Sequence, residues 1–110
     1  MSDAVDLLRR LQAWHDGAEP TLRAEGYLVE FTGPIGARPK PSASVLVGSS
    51  SRIAKLTVWS TGEAELDLGD AESGAVTEEH REITGDVGLA DATRTLLAWV
   101  RDGLGGARPR

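Results

Sequence analysis

The chain contains no cysteine and no asparagine. The lack of cysteine excludes disulfide frameworks, thiolate zinc sites, iron–sulfur clusters and cysteine nucleophiles. The lack of asparagine leaves backbone positions with positive φ mainly to the 13 glycines. No apolar run approaches the roughly 18 residues that a membrane-spanning helix needs. Asp3 and Asp6 stand where a signal peptide carries basic residues, so we expect a cytoplasmic protein without a membrane partner.

Basic residues are also in the minority. The chain has 12 Lys and Arg against 17 Asp and Glu, which gives a formal net charge of −5. Binding to nucleic acid requires a basic patch that neutralises phosphates, and none is visible, so we expect no nucleic-acid partner. A length of 110 residues, 40% of them apolar, is typical of one globular domain. We predict a single α+β domain over 1–103 and a flexible C-terminal tail over 104–110.

The residues needed for catalysis or metal binding do not occur at the required spacings. The serine run Ser49–Ser51 lacks the Gly-x-Ser-x-Gly pattern of a nucleophile elbow and is typical of a polar turn. Segment 78–82 places carboxylates beside His80 but lacks the His-Glu-x-x-His spacing of a zinc site. The other histidine, His15, lies beside the apolar stripe of a predicted helix. We therefore predict no catalytic residue, no metal site and no cofactor.

Hydrophobic spacing predicts a helix near the N-terminus. Apolar residues recur at helical intervals over 2–15, with Ser2 as the candidate N-cap. Gly17 is expected to stop this helix. A short continuation is expected over 20–25, with its proline in the first turn and Gly26 as the residue that ends it.

A second helix is predicted near the C-terminus. Its apolar stripe runs through 88–102, with Asp86 as the candidate cap and Gly103 as the terminator. Trp14 of the first helix and Trp99 of this one fall on the apolar stripes, so we expect both in the core.

Between the helices, the sequence predicts four to five strands in an antiparallel meander. Short links join them, and the two amphipathic helices are expected to cover one sheet face. The glycines and prolines of 33–42 predict a loop, because they disfavour both ladder and helix. The glutamates near 75–82 leave a helical turn possible in place of the last strand. The predicted strands are 27–32, 43–48, 52–59, 63–69 and 75–81.

One hairpin is predicted in detail. A three-residue loop, Ser60-Thr61-Gly62, with Gly62 in the left-handed region, pairs Leu56 with Leu66 and Lys55 with Asp67. This register makes one face wholly apolar and the other polar, whereas a two-residue loop would mix both kinds on each face.

Eight carboxylates lie between residues 63 and 82, where Arg81 is the only permanent cation. A solvated sheet face accounts for such a pattern, and so does a surface that binds a partner. Trp59 favours the second interpretation, because an aromatic anchor within a charged rim is typical of interfaces. Alternatively, the loop over 33–42 covers Trp59. The candidate partner-binding residues are Trp59, Glu63, Glu65, Asp67, Asp70, Glu78 and Glu79.

Several segments together carry a family resemblance. They are the first helix with Trp14 near its end, the strand–turn–strand 56–66, the turn 70–74, the stretch 79–82 and the Leu-rich helix 89–100. In this combination the chain resembles immunity proteins of bacterial polymorphic toxin systems, in particular the TriTu-type family. The resemblance covers most of residues 3–102.

The resemblance implies a protein that is not an enzyme. It implies binding to a cognate toxin domain, often encoded by a neighbouring gene, and blocking of its active site or substrate path in the cytoplasm. If the toxin is a nuclease, the acidic face could occupy its basic groove as a mimic of phosphates. The alternative is a small acidic secretion chaperone or adaptor that binds a client segment. An enzyme or small-ligand binder is a third class. Both a monomer and a homodimer fit the sequence.

Overall fold

The computed structural model describes residues 3–35 and 41–103. Within them, two helices flank five consecutive strands, and the strands form one antiparallel sheet in the order β1-β2-β3-β4-β5. The predicted α+β meander is confirmed, and residues 76–82 form a strand and not a helical turn. Ser2, residues 36–40 of the predicted loop and the predicted tail lie outside the described residues. The elements are α1 Asp3–Ala24, β1 Leu28–Ile35, β2 Ser42–Gly48, β3 Arg52–Trp59, β4 Glu63–Asp70, β5 Val76–Glu82 and α2 Asp86–Asp102.

Both helices pack on the same face of the sheet, as predicted. Alternate residues of β2, β3 and β4 point to that face and are buried, as the period of two in a strand requires. The helices contribute Leu11 and Leu96, both fully buried. Trp14 and Trp99 are half-buried and pack at the margin of this core. The Nε1 of Trp99 donates a hydrogen bond to the carbonyl of Gly69 over 3.0 Å, which ties α2 to β4.

Helix α1 is a single helix, so the predicted break at Gly17 and the new start at Pro20 are wrong. Glycine and proline cost about 1 and about 3 kcal/mol inside a helix. Packing outweighs these penalties, because Leu11, His15 and Leu22 continue one buried stripe across the predicted break. The helix ends in the predicted manner: Gly26 has φ 97° and its N–H donates to the carbonyl of Arg23.

Two other boundaries differ from prediction. Strand β1 extends through Gly33 and Pro34 to Ile35, with an irregular register after Thr32. A proline is tolerated there because β1 is an edge strand and needs no ladder hydrogen bond on its outer side. Asp86 does not cap α2; it lies in the first turn, where its carboxylate forms an ion pair with Arg10 of α1.

The hairpin of β3 and β4 has the predicted register. Leu56 pairs with Leu66 and Lys55 pairs with Asp67. Gly62 has φ 101°, and its N–H donates to the carbonyl of Trp59 over 2.9 Å. The positive φ is accessible to glycine without a steric penalty, so this residue sets the loop length and with it the face of every side chain in β4.

An open acidic sheet face as the candidate functional site

The face of the sheet opposite the helices carries most of the predicted site. It is formed by the residues of each strand whose side chains point away from the helices. The pairing of neighbouring strands aligns these residues into rows across the sheet. We call this surface the open face. Of the residues that the structure describes, six carboxylates lie on it against one permanent cation, Lys55. The carboxylates are Glu30, Glu63, Glu65, Asp67, Glu78 and Glu82.

Five of the six carboxylates lie on β4 and β5, and we call this part of the open face the acidic half. Strand pairing brings charges of the same sign together: Asp67 lies opposite Glu78, and Glu63 lies opposite Glu82. Glu65 lies opposite His80, which is exposed. The alternation of β5 therefore adds Glu82 and His80 to the surface. Neither residue is among the predicted partner-binding residues, because the register of β5 does not follow from the sequence.

Three carboxylates of the acidic half approach closely. Carboxylate oxygens of Glu65, Asp67 and Glu78 all lie within 4.8 Å of one another. Carboxylate oxygens at this separation are ligands that a hard cation accepts, and they also suit the ammonium or guanidinium group of a basic side chain. One oxygen of Asp67 is buried, and no described residue donates a hydrogen bond to it.

The neighbouring carboxylates shift the pKa of Glu65. The pKa of Glu65 is raised above its ordinary value, first by a hydrogen bond that its protonated form makes with Asp67. Repulsion from the Asp67 charge, some desolvation and repulsion from Glu78 act in the same direction, while His80 opposes them. The fold thus holds these carboxylates close together although their negative charges repel. A positive group bound beside them would reduce this repulsion.

An open groove of about 420 Å³ lies at the end of the acidic half next to the β3–β4 loop. Trp59, half-buried, forms part of its wall beside Glu63 and Glu65, as the predicted hairpin register requires. His80 and Glu82 line it from β5. The groove combines an aromatic surface and carboxylates with one permanent cation, Arg81, which also lines it.

Two predicted site residues lie elsewhere. Glu79 points to the helix-covered side, because it alternates with Glu78 along β5, and it pairs with Arg81 at 3.4 Å. Arg81 in turn donates to the hydroxyl of Thr95 on α2 over 3.2 Å. Asp70 lies at the end of β4, where its carboxylate accepts the backbone N–H of Glu72 over 2.9 Å. The structure therefore brings together Trp59, Glu63, Glu65, Asp67 and Glu78, and leaves out Asp70 and Glu79.

We expect Glu65→Gln to stabilise the protein at neutral pH. Because the pKa of Glu65 is raised in the folded state, folding opposes its ionisation at pH 7. This cost is present above the folded pKa and disappears as the pH falls below the ordinary glutamate value of about 4.3. Urea denaturation at pH 7 should therefore show a higher free energy of unfolding for the variant, and the gain should vanish near pH 4. Glu72→Gln, in an exposed turn, is the control. A loss of stability at pH 7 would contradict this account.

Comparison with known proteins identifies the family. A family model described as Immunity protein TriTu matches residues 9–99, which includes all five strands and most of both helices. Neither the curated proteins nor the solved structures include a significant match. Among the described residues, no helix is both long enough and apolar enough to cross a membrane. The match spans far more than half of the 110 residues, and the chain belongs to the TriTu immunity protein family.

Proposed function

We propose that the protein neutralises a cognate bacterial toxin domain by binding it through the acidic half of the open face. The family match over residues 9–99 supports an immunity role, and the like-charged cluster of Glu65, Asp67 and Glu78 is the observation that carries the choice of surface. The protein acts without catalysis, in the cytoplasm of the cell that produces the toxin. The family match also favours this role over that of a secretion chaperone or adaptor.

The charge of the surface defines the toxin surface that fits it. Five carboxylates on two adjacent strands produce a concentrated negative potential, which attracts a basic partner and accelerates its association. A nuclease has such a basic surface, because its substrate groove must bind phosphates. We therefore propose a nuclease toxin whose groove is filled by the acidic half.

Rigidity makes the carboxylates effective mimics of phosphate groups. Glu65 and Asp67 project from β4, which is hydrogen-bonded on both sides by β3 and β5. Their positions are fixed before binding, so association loses less conformational entropy than it would for charges on a loop. Binding also brings further positive charge close to Glu65, Asp67 and Glu78, in addition to Lys55, which lies opposite Asp67. The bound immunity protein thus keeps the substrate out of the toxin's groove, and its own carboxylates repel one another less than in the free protein.

Co-expression with the toxin domain of the neighbouring gene tests the proposal. We expect cells to grow when both proteins are present and to die when the toxin is present alone. Purified protein should form a complex with the toxin and inhibit cleavage of DNA or RNA in proportion to the complex formed. Growth arrest despite stable expression of both proteins would reject the immunity role. Protection of a toxin without nuclease activity would reject the phosphate-mimic mechanism only.

A further inference from the structure

The open face also carries an apolar row at the end remote from the groove. Strand register aligns Leu28, Gly48, Ile53, Gly69 and Val76 across all five strands. Leu28, Ile53 and Val76 are 48%, 44% and 67% exposed, although the open face of a sheet is ordinarily polar. At about 4.8 Å between strands, the row is roughly 19 Å long. We call these five residues the apolar row.

The two glycines give the row its shape. Both have ordinary strand conformations, since neither is among the glycines with positive φ. What they provide is space: a Cβ on Gly69 would lie 3.0 Å from Cγ2 of Ile53, and one on Gly48 would lie 3.6 Å from its Cγ1. The side chain of Ile53 therefore lies close over both neighbouring strands. Around Ile53 the apolar surface is therefore continuous over the two adjacent glycines.

The apolar row borders the charged part of the same face. Two residues along the strands from Ile53, Gly69 and Val76 come Lys55, Asp67 and Glu78, about 7 Å away on the same side. An interface with an apolar part and an adjoining charged part obtains affinity from the first and orientation from the second. We propose that the apolar row binds an apolar projection on the toxin, bordered by the basic residues that contact the acidic half. This inference rests on the proposed function and extends it to a second part of the same surface.

Charge selects this occupant over a second copy of the chain. Among residues 3–35 and 41–103, two copies meeting through their open faces would oppose six carboxylates to six, with one Lys55 on each side as compensation. Like charges brought together across an interface suppress association, whereas a basic partner is attracted. The occupant is therefore a protein surface that is both apolar and basic.

Substitution of the row should change dissociation and leave association almost intact. We expect Ile53→Ser with Val76→Ser to raise the dissociation rate of the toxin complex by about tenfold or more, with the association rate changed by less than about twofold. Val87→Ser, at a 77% exposed valine on α2, is the matched control and should change neither rate. An unchanged dissociation rate in a folded double variant would overturn the inference. If the unaltered protein does not bind the toxin, the proposed function fails first, and the next experiment decides on the row.

A synthetic probe tests the row without the toxin. The probe is a short amphipathic peptide with a leucine stripe flanked by arginines, and its control has serine in place of leucine. The chain has three isoleucines, so labelled Ile δ1 methyl groups give a simple spectrum in which Ile53 reports on the row and buried Ile83 is the internal control. We expect the leucine peptide to shift Ile53 and the serine peptide to leave it unchanged. No shift of Ile53, or equal shifts with both peptides, would overturn the inference.

Discussion

Replacement of Glu65 and Asp67 by lysine is expected to slow association with the toxin by about tenfold or more at low ionic strength. Both side chains project from the middle of the acidic half, and with Glu78 they form its closest group of like charges. Reversing them removes two of the five negative charges of the acidic half and adds repulsion to the basic partner. Stopped-flow measurement of association at several salt concentrations provides the test. The difference from the unaltered protein should shrink with salt, because the Debye length falls from about 30 Å at 0.01 M to about 8 Å at 0.15 M.

The matched control reverses two charges on the helical side. Asp91→Lys with Asp102→Lys changes the net charge by the same amount, at exposed positions of α2. Loss of the surface ion pair between Asp91 and Arg94 costs little stability. If both double variants slow association equally, overall charge is responsible and the acidic half has no special role. If neither does, the toxin binds another surface.

The substitution Gly62→Ala should destabilise the fold by about 2–4 kcal/mol. Its φ of 101° is unfavourable for alanine, and the added Cβ would lie 2.9 Å from the carbonyl oxygen of Ile83. That oxygen belongs to backbone, so it cannot move aside as a flexible side chain would. The Gly62 carbonyl also accepts the N–H of Ile83 over 2.8 Å, so relief of the clash would break the link from the hairpin to the end of β5.

A second glycine separates the contribution of the clash from that of the backbone conformation. Gly74 has φ 77°, but no atom lies within 4 Å of an added Cβ. Gly74→Ala should therefore cost only the left-handed penalty of about 1 kcal/mol. Chemical denaturation of the two variants gives the comparison. Equal losses in the free energy of unfolding would show that the backbone at Ile83 moves without an energetic cost. The close contact with its carbonyl oxygen would then contribute nothing to the effect of Gly62→Ala.

The sequence predicted those parts of the fold that depend on residues close together in the chain. The register of the β3–β4 hairpin was predicted correctly, because only one loop length separates apolar Leu56 and Leu66 from charged Lys55 and Asp67. Helix α1 was predicted with a break, because Gly17 and Pro20 disfavour a helix locally. The helix continues because Leu22 is buried against the sheet. The intrinsic helix propensities of the residues do not predict such a tertiary contact.

The candidate site shows the same limit. Glu63, Glu65 and Asp67 could be assigned to one face because their register followed from the hairpin. The register of β5 depended on the longer turn before it, so Glu78 and Glu79 were both included although alternation separates them. The apolar row was not predicted at all. Its members come from different strands and become neighbours only when the whole sheet is assembled.

The alternation along β4 has a consequence for how such a protein changes over generations. Leu66 and Leu68 are buried in the core, whereas the side chains of Glu65 and Asp67 lie half-buried on the opposite face of the sheet. Substitutions at exposed outward positions ordinarily change stability by less than about 0.5 kcal/mol. Mutation at the outward positions can therefore change the open face while the buried positions stay fixed. If the open face binds a toxin as proposed, a change in the toxin surface can be matched by single outward substitutions that leave the core residues in place.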